Sequence, residues 1–211
     1  MKIGMPARNL AILILFAMAA STLGLELEAV ERAHPWELGF GVVGGWKHLE
    51  EATPQDPFRV AENAGFGFAL TGGRWLGTRV KLSFDVDGTL QDTNLQDVQV
   101  SFVTFTLGIR GYFLSRGPIR PYLRGSFGGA KSTLESSAGG DERVELSGMA
   151  AVMGGGLHMA PSRRLRFDLE LSHSVVEYED AAVVFESIYI GTRINKAASA
   201  TRIRFCTLFL I

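Results

Sequence analysis

The sequence has little cysteine, no long apolar run in its main part and almost no net charge. Its single cysteine, Cys206, excludes an intrachain disulfide, and with it the small secreted scaffolds that disulfides hold together. No run after Ala20 reaches the roughly 18 apolar residues of a membrane-spanning helix, so strands would have to make any membrane crossing. The 21 basic and 22 acidic side chains nearly balance, and nothing points to a nucleic acid partner.

The N-terminal residues have the composition of a secretory signal peptide. Lys2 and Arg8 precede an apolar run of 11 residues, 10–20, which is too short for a hydrocarbon core about 30 Å thick. Residues 17–19, Ala-Met-Ala, provide the small residues of a cleavage site. We predict a signal peptide over residues 1–19, with export through the inner membrane and cleavage; an uncleaved anchor is the alternative. Cleavage would leave 19 basic against 22 acidic side chains, a net charge near −3.

The rest of the chain alternates between apolar and polar residues with the period of two that marks β-strands. The clearest case is RVKLSFDVDG, residues 79–88, which alternates over its whole length. Eight segments share the pattern, and no linker or repeat divides them, so we predict one domain over residues 36–194. The eight segments are 36–46, 63–71, 79–88, 97–113, 119–130, 143–159, 165–175 and 183–194.

Two of these segments are irregular. In the fourth, the apolar phase changes between Phe102 and Phe105, which predicts a β-bulge near Val103. The sixth, 143–159, is so rich in glycine, alanine and methionine that its pattern does not say which side chains face which way.

The connections between the segments alternate in length. The longer connections hold most of the acidic side chains. The only charged side chains in the short turns are arginines: Arg74, Arg116, Arg163 and Arg164. An up-and-down barrel with a rim of loops and a rim of tight turns has this arrangement. The longer connections are 47–62, 88–97, 131–143 and 177–182, and the short turns are 72–78, 114–118 and 160–164.

The alternation alone does not say which face of the barrel is wet. A soluble barrel of the lipocalin type would bury the apolar face and expose glycines such as Gly39 and Gly65. Glycine inside a strand costs roughly 0.5 to 1 kcal/mol relative to alanine, whereas a narrow lumen needs small residues beside long charged ones. We therefore predict an all-β, eight-stranded antiparallel up-and-down transmembrane β-barrel, with the soluble barrel as the alternative.

This orientation assigns the side chains of the strands to three groups. The residues predicted to face lipid are Leu38, Phe40, Phe66, Phe68, Val80, Leu82, Phe84, Val86, Leu123, Phe127, Leu165, Phe167, Leu169 and Leu171. The residues predicted to form a charge network in the lumen are Glu37, Arg79, Lys81, Asp85, Arg110, Arg120, Arg124, Arg166, Asp168, Glu170 and Arg193. The residues predicted to form aromatic girdles at the two interfaces are Trp36, Trp46, Trp75, Tyr112, Phe113 and Tyr178.

Two stretches resemble a known family. RPYLRGSFGGA (120–130) and GGGLHMAPSRRLRFDLEL (154–171) are similar to strands of the small eight-stranded outer-membrane barrels of Gram-negative bacteria, such as the barrel domains of outer-membrane proteins A and X. The resemblance covers residues 36–194. It implies location in the outer membrane, both termini in the periplasm, long loops outside the cell, and contact with the barrel-assembly machinery, outer-membrane lipids and lipopolysaccharide.

The C-terminal residues depart from this family. Its last strand commonly ends in an aromatic residue that the assembly machinery reads, whereas the eighth segment ends at Ile194 and 17 residues follow. Phe205 or Phe209 would have to replace that aromatic, but an odd ninth strand is disfavoured. We predict residues 195–211 to be a C-terminal extension without an assigned role; an altered reading frame is the alternative.

Three patterns in the sequence resemble functional sites. The glycines of residues 39–44 match a dinucleotide-binding spacing, but no strand precedes them and no helix follows. His173 lies beside Ser172 and Ser174 with acidic residues nearby, as in a lipid A-modifying barrel enzyme, yet adjacent strand residues point to opposite faces. The acidic loops are predicted to be solvated, with divalent cations bridging to lipopolysaccharide as the alternative.

No zinc site is expected, because His34, His48 and His158 are scattered along the chain. No cofactor and no catalytic residue are predicted. We expect a non-enzymatic outer-membrane barrel with a side-chain-filled lumen and a structural or surface-interaction role through the extracellular loops. A narrow channel or lumenal-ligand barrel is one alternative, and a lipid A-modifying enzyme is the other.

Overall fold

The computed structural model describes residues 36–49, 64–92, 98–136, 143–161, 165–185 and 188–211. Over these residues eight strands pair antiparallel in sequence order, and the last pairs with the first to close a barrel. No helix in this part of the chain is long and apolar enough to cross a membrane. The strands are β1 Trp36–Leu49, β2 Ala64–Trp75, β3 Val80–Asp92, β4 Val98–Tyr112, β5 Ile119–Ser136, β6 Arg143–Met159, β7 Leu165–Phe185 and β8 Ile188–Leu210.

The prediction of an all-β, eight-stranded antiparallel up-and-down barrel is confirmed. Alternation produces this fold because each strand has one apolar and one largely polar face, and only closure gives every strand two partners. The predicted signal peptide, residues 1–19, lies outside the described residues.

The last strand differs from the prediction. β8 pairs with β1 from Glu37 opposite Leu210 to Leu49 opposite Ala198, so residues 198–210 close the barrel. The prediction that the barrel ends at Ile194 and that 195–211 form an extension is therefore wrong. The segment 183–194 is instead the tip of the β7–β8 hairpin, because β7 continues to Phe185.

The predicted bulge near Val103 is also wrong. β4 pairs without a register shift with both neighbours, and Phe102 points inward while Phe105 points outward and is 57% exposed. The alternation of apolar residues along β4 is interrupted because the lumen around Phe102 is itself lined by apolar side chains. An apolar residue in this part of the strand therefore does not identify the outer face. Register shifts occur instead beside Gly148 and between Tyr178 and Asp180.

The orientation of β6 follows from burial. His158, Val152 and Leu146 face the interior, whereas Met153 and Leu157 face outward.

Close approach at the closing seam explains one glycine. Gly41 of β1 lies on the inner face, and a Cβ atom there would be 1.9 Å from the carbonyl oxygen of Phe205 on β8. A larger residue would push the two strands apart. Gly41 is thus one of the small inward residues that we predicted for a narrow lumen.

The two ends of the barrel differ. At one end lie the tight turns and the start of β1, where the backbone N–H of Ile211 donates to the carbonyl of Trp36 at 3.1 Å. At the other end lie the last described residues before the long connections, such as Leu49 and Asp92. β5 to β8 have 18, 17, 21 and 23 residues against 14, 12, 13 and 15 for β1 to β4, so the second half of the barrel projects beyond the first.

Candidate functional site

The lumen holds a network of buried ion pairs centred on Arg110 of β4. Its guanidinium contacts the carboxylate of Asp85 at 2.7 Å and that of Asp168 at 2.5 Å, and it donates to the hydroxyl of Thr71 at 3.0 Å. Thr71 in turn donates to Asp85 at 2.7 Å. Four strands meet at this point, because each places an inward position at the same height.

A second group of charges lies beside the first. Glu170 of β7 accepts from Arg124 at 2.7 Å, from Arg204 at 2.8 Å and from the hydroxyl of Tyr122 at 2.8 Å. Arg204 also contacts Asp85 at 2.8 Å, which joins the two groups. Both oxygens of Glu170 are thereby bonded to charged or polar partners.

The tight-turn end of the lumen combines charges with aromatic rings. Glu37 is paired with Lys81, and it accepts from Arg166 at 2.5 Å. His158 is hydrogen-bonded to Asp168 through Nδ1 at 2.6 Å. Around them the rings of Trp75, Tyr112 and His158 pack together, and Arg120 lies over Trp75 with 4.6 Å to the ring centroid.

The loop end of the lumen is apolar instead. Arg202 marks the boundary, because its guanidinium donates to Thr104 at 2.9 Å and lies over the ring of Phe102 at 5.4 Å. Beyond it, Tyr178 shares a hydrogen bond with Ser132 at 2.6 Å. Buried side chains therefore lie in both halves of the lumen. The buried apolar group consists of Phe102, Ala130, Leu146, Ala150, Val176, Tyr178, Ala181, Ala198 and Ala200.

Bases outnumber carboxylates among the described lumen residues, because Arg120 and six paired bases accompany five carboxylates. Buried charges are costly unless they are paired, and removing one partner of a buried pair typically costs about 3 to 5 kcal/mol. Each carboxylate in the lumen of the described barrel has a basic partner. The carboxylates are Glu37, Asp85, Asp87, Asp168 and Glu170, and their partners are Lys81, Arg110, Arg124, Arg166, Arg202 and Arg204.

The structure brings most of the predicted network residues together. Glu37, Lys81, Asp85, Arg110, Arg124, Arg166, Asp168 and Glu170 are joined by ion pairs, and Arg120 lies in the same lumen on the aromatic rings.

Two predicted network residues are not in the lumen. Arg79 is exposed because it lies in the turn between β2 and β3, where alternation no longer fixes the direction of a side chain. Arg193 is exposed because it lies in the hairpin that projects beyond the barrel, opposite Asp180. Both predictions are wrong.

Four charged or ionisable lumen residues were missed. The sequence prediction places Arg202 and Arg204 outside the barrel with the C-terminal residues, although residues 202–205, Arg-Ile-Arg-Phe, alternate between polar and apolar side chains. Asp87 lies in the alternating segment 79–88 but was not included in the predicted network, and His158 was not included because the sequence does not give the orientation of β6. A strand count that followed alternation to the chain end would have found both arginines.

The outer face carries the large apolar side chains. Phe66 is 77% exposed, Leu107 is 72% and Phe40 is 60%. All side chains predicted to face lipid lie on this face, some of them half-buried against their neighbours; contact with lipid itself stays a prediction. These are Leu38, Phe40, Phe66, Phe68, Val80, Leu82, Phe84, Val86, Leu123, Phe127, Leu165, Phe167, Leu169 and Leu171.

Only part of the predicted aromatic girdle is on the outer face. Trp36 and Trp46 are exposed at opposite ends of β1, and Phe113 is exposed at the tight-turn end. The assignment of the other three is wrong, because their strand positions have the inward parity. These are Trp75, Tyr112 and Tyr178, which pack inside the barrel.

The serine and histidine residues of β7 lie on opposite faces, as expected. Ser172 and Ser174 are buried, whereas His173 is exposed and bonded through Nδ1 to the hydroxyl of Thr201 at 3.0 Å. Ser174 donates instead to the carbonyl of Ala200 at 3.3 Å. His173 is therefore not placed to act as a base for either serine.

Within the described ranges, no group of three or more histidine, cysteine, aspartate or glutamate side chains is arranged to hold a metal ion.

At the projecting end, Glu145 accepts from Lys131 at 2.9 Å, and this hydrogen bond holds the pKa of the Glu145 carboxyl below its ordinary value.

The fold is shared with small barrels of the outer membrane. The solved structure of neisserial surface protein A matches with a TM-score of 0.60 at 8% identity, covering 83% of this chain and 97% of that one. Ail, the attachment invasion locus protein of Yersinia pestis, matches with a TM-score of 0.51 at 12% identity, covering 83% and 99%. The outer membrane protein AlkL, solved in lipid bilayers, matches with a TM-score of 0.50 at 9% identity, covering 87% and 93%.

At these identities the likeness concerns the fold alone. No family model matches the sequence, and no curated protein matches it by sequence. The architecture that the resemblance implied, a small eight-stranded barrel of the outer-membrane type, is the one observed.

Proposed function

We propose that this chain is a non-enzymatic β-barrel protein of the bacterial outer membrane, exported with cleavage of residues 1–19. The observation that carries the proposal is the distribution of polarity: charged side chains are paired inside the barrel, and large apolar side chains cover its outside. Water on the outside would meet an apolar surface far larger than the patches of soluble monomers. Lipid removes that cost.

The dimensions of the outer face also suit a membrane. Trp36 and Trp46 lie ten residues apart on one strand, which corresponds to about 25 Å along the barrel axis at ordinary rise and tilt. Outer-membrane barrels have an apolar band of about that height between their aromatic girdles. The outward positions between the two tryptophans hold Leu38, Phe40, Val42 and Gly44.

The filled lumen favours a structural or surface-interaction role over transport. Ion pairs fill the half next to the tight turns, and Phe102, Leu146 and Tyr178 fill the other. Interaction with an outside partner would use the connections 47–62, 88–97 and 131–143, most of which lie outside the described residues. The proposed partners of the barrel itself are outer-membrane lipids, lipopolysaccharide and the assembly machinery.

Three measurements test this proposal. Cell fractionation with gel electrophoresis of unheated and heated samples should recover the protein with the outer membrane and show heat-dependent migration. In planar bilayers the protein should show no steady conductance. Steady conductance would indicate an open lumen and therefore the narrow channel. Incubation with lipopolysaccharide should release no fatty acid, because release that Ser174→Ala abolishes would indicate the enzyme. Recovery from the soluble periplasm would overturn the membrane orientation.

A further inference from the structure

A group of exposed arginines and the exposed carboxylate side chains of the described strands lie at opposite ends of the barrel. At the tight-turn end, the exposed charged side chains of the described residues are Arg74, Arg79 and Arg116. Among the described residues at this end, the carboxylate of Glu37 is buried in the lumen with Lys81, and no other acidic side chain is exposed. The exposed carboxylates of the described strands lie at the other end. They are Glu135, Glu177, Glu179 and Asp180.

The tight turns are also apolar at their tips. Leu76 is 52% exposed in the turn that holds Arg79, while Phe113 and Leu114 are 61% and 50% exposed in the turn that holds Arg116. Both turns thus present an aromatic or aliphatic side chain beside a guanidinium. We call Arg74, Leu76, Arg79, Phe113, Leu114 and Arg116 the tight-turn rim.

Arg74 connects this rim to the apolar outer face. It pairs across the sheet with Trp36 on one side and Leu82 on the other, both outward-facing. Its guanidinium lies over the ring of Trp36, 5.6 Å from the centroid. In a membrane, an interfacial tryptophan lies at the level of the lipid headgroups, so this guanidinium lies at the level of their phosphates.

We propose that the tight-turn rim binds the headgroups of anionic phospholipids in the leaflet at that end of the barrel. The inference rests on the proposed insertion into a membrane. Arginine is suited to the site because its planar fork matches phosphate oxygens in two-point hydrogen bonds. Phosphatidylglycerol adds a net negative charge that a zwitterionic lipid lacks.

The apolar side chains favour a lipid over a soluble acidic partner. A soluble anionic polymer would engage the three arginines but leave Leu76, Phe113 and Leu114 in water. A phospholipid presents phosphate and acyl chain together, and the rim presents guanidinium and apolar side chain together. At the loop end the exposed bases already have acidic neighbours, since Lys131 and Arg143 are paired with Glu145 and Arg193 lies opposite Asp180.

Trp36 provides a local reporter for the test. The variant Trp46→Phe/Trp75→Phe retains Trp36 as its only tryptophan. It is reconstituted in phosphatidylcholine vesicles, and Trp36 fluorescence is quenched with brominated phosphatidylglycerol or brominated phosphatidylcholine in separate titrations. We expect phosphatidylglycerol to bind about fivefold more tightly than phosphatidylcholine, and high salt to reduce the difference.

Charge variants locate the effect. Arg74→Gln with Arg79→Gln should bring the ratio of the two association constants towards one, whereas Arg74→Lys should retain most of the preference. Arg193→Gln, at the loop end, should leave the ratio unchanged. If the arginine variants fail to insert, the salt dependence of the parent protein still tests the proposal.

The outcomes separate this proposal from the one on which it rests. Equal quenching by both lipids in the parent protein would show an inserted barrel without headgroup preference and would overturn the inference alone. No quenching by either lipid would show that Trp36 does not meet lipid, and would overturn the membrane insertion as well.

Discussion

Asp85 of β3 and Arg110 of β4 meet inside the barrel at 2.7 Å, although 25 residues of chain separate them. Asp85 is also within 2.8 Å of Arg204 and 3.2 Å of Arg124. One carboxylate thus holds three guanidinium groups from three strands. The network that it joins lies across the barrel, so its loss should affect the whole fold rather than one hairpin.

Removal of this carboxylate should be costly. Asp85→Ala leaves buried arginines short of a partner, and we expect the free energy of unfolding in vesicles to fall by about 3 to 5 kcal/mol. Denaturant titration followed by tryptophan fluorescence measures the change. The control is Asp180→Ala, an exposed carboxylate, which should cost less than about 1 kcal/mol. Equal effects of the two variants would contradict a role for the network in stability.

Charge on the outer face should impair insertion. Phe84 points outward on β3 and its neighbour Ser83 points inward. Phe84→Arg should destabilise the inserted barrel by about 2 to 4 kcal/mol if the residue lies near the midplane of the bilayer. Phe84→Leu and Ser83→Ala should have little effect. Unimpaired assembly of the arginine variant, judged by heat-dependent migration, would count against lipid at this face.

The closing seam should not tolerate side chains at Gly41. Gly41→Val places carbon where the Phe205 carbonyl lies, since even a Cβ would be 1.9 Å from that oxygen. We expect loss of the heat-modifiable form. Gly77→Ala, where an added Cβ has nothing within 4 Å, should assemble normally. Normal assembly of the valine variant would mean that β1 and β8 are farther apart at Gly41 than they are in the structure.

Residues 195–211 should be essential to the fold. A chain ending at residue 194 lacks all of the positions through which β8 pairs with β1, and also loses Arg202 and Arg204. We expect it to be degraded or to aggregate when expressed. A short hydrophilic tag added after residue 211 of the full chain serves as the control and should be tolerated. A stable, heat-modifiable truncated protein would contradict the pairing.

The sequence predicts best those strands in which the polarity of each side chain matches the face of the barrel towards which it points. On β3 the apolar side chains point outward and the polar ones point into the lumen, so residue type and direction agree. The outward residues are Val80, Leu82, Phe84 and Val86, and the inward residues are Lys81, Ser83, Asp85 and Asp87. The same holds for the first part of β7 beyond Leu165. The short turns predicted over 72–78 and 114–118 fall between β2 and β3 and between β4 and β5, whereas the connection predicted over 177–182 is wrong because these residues lie inside β7.

Prediction failed where the lumen changes character. Phe102 and Tyr178 are apolar or aromatic yet inward, because the loop half of the lumen is packed with apolar side chains rather than charges. Trp75 and Tyr112 are inward because the tight-turn half is closed by aromatic rings as well as ion pairs. Polarity alone cannot distinguish such residues from an interfacial girdle; the parity of their position along the strand can.

The direction of the two faces is the central claim, and oxygen accessibility along β3 tests it most directly. Single spin labels are attached to cysteines introduced as Leu82→Cys, Ser83→Cys and Phe84→Cys in a Cys206→Ser background, and the protein is reconstituted in vesicles. We predict that labels at positions 82 and 84 collide freely with dissolved oxygen in the bilayer, while the label at 83 is shielded from it. High oxygen accessibility at 83 with low accessibility at 82 and 84 would reverse the barrel and contradict the account.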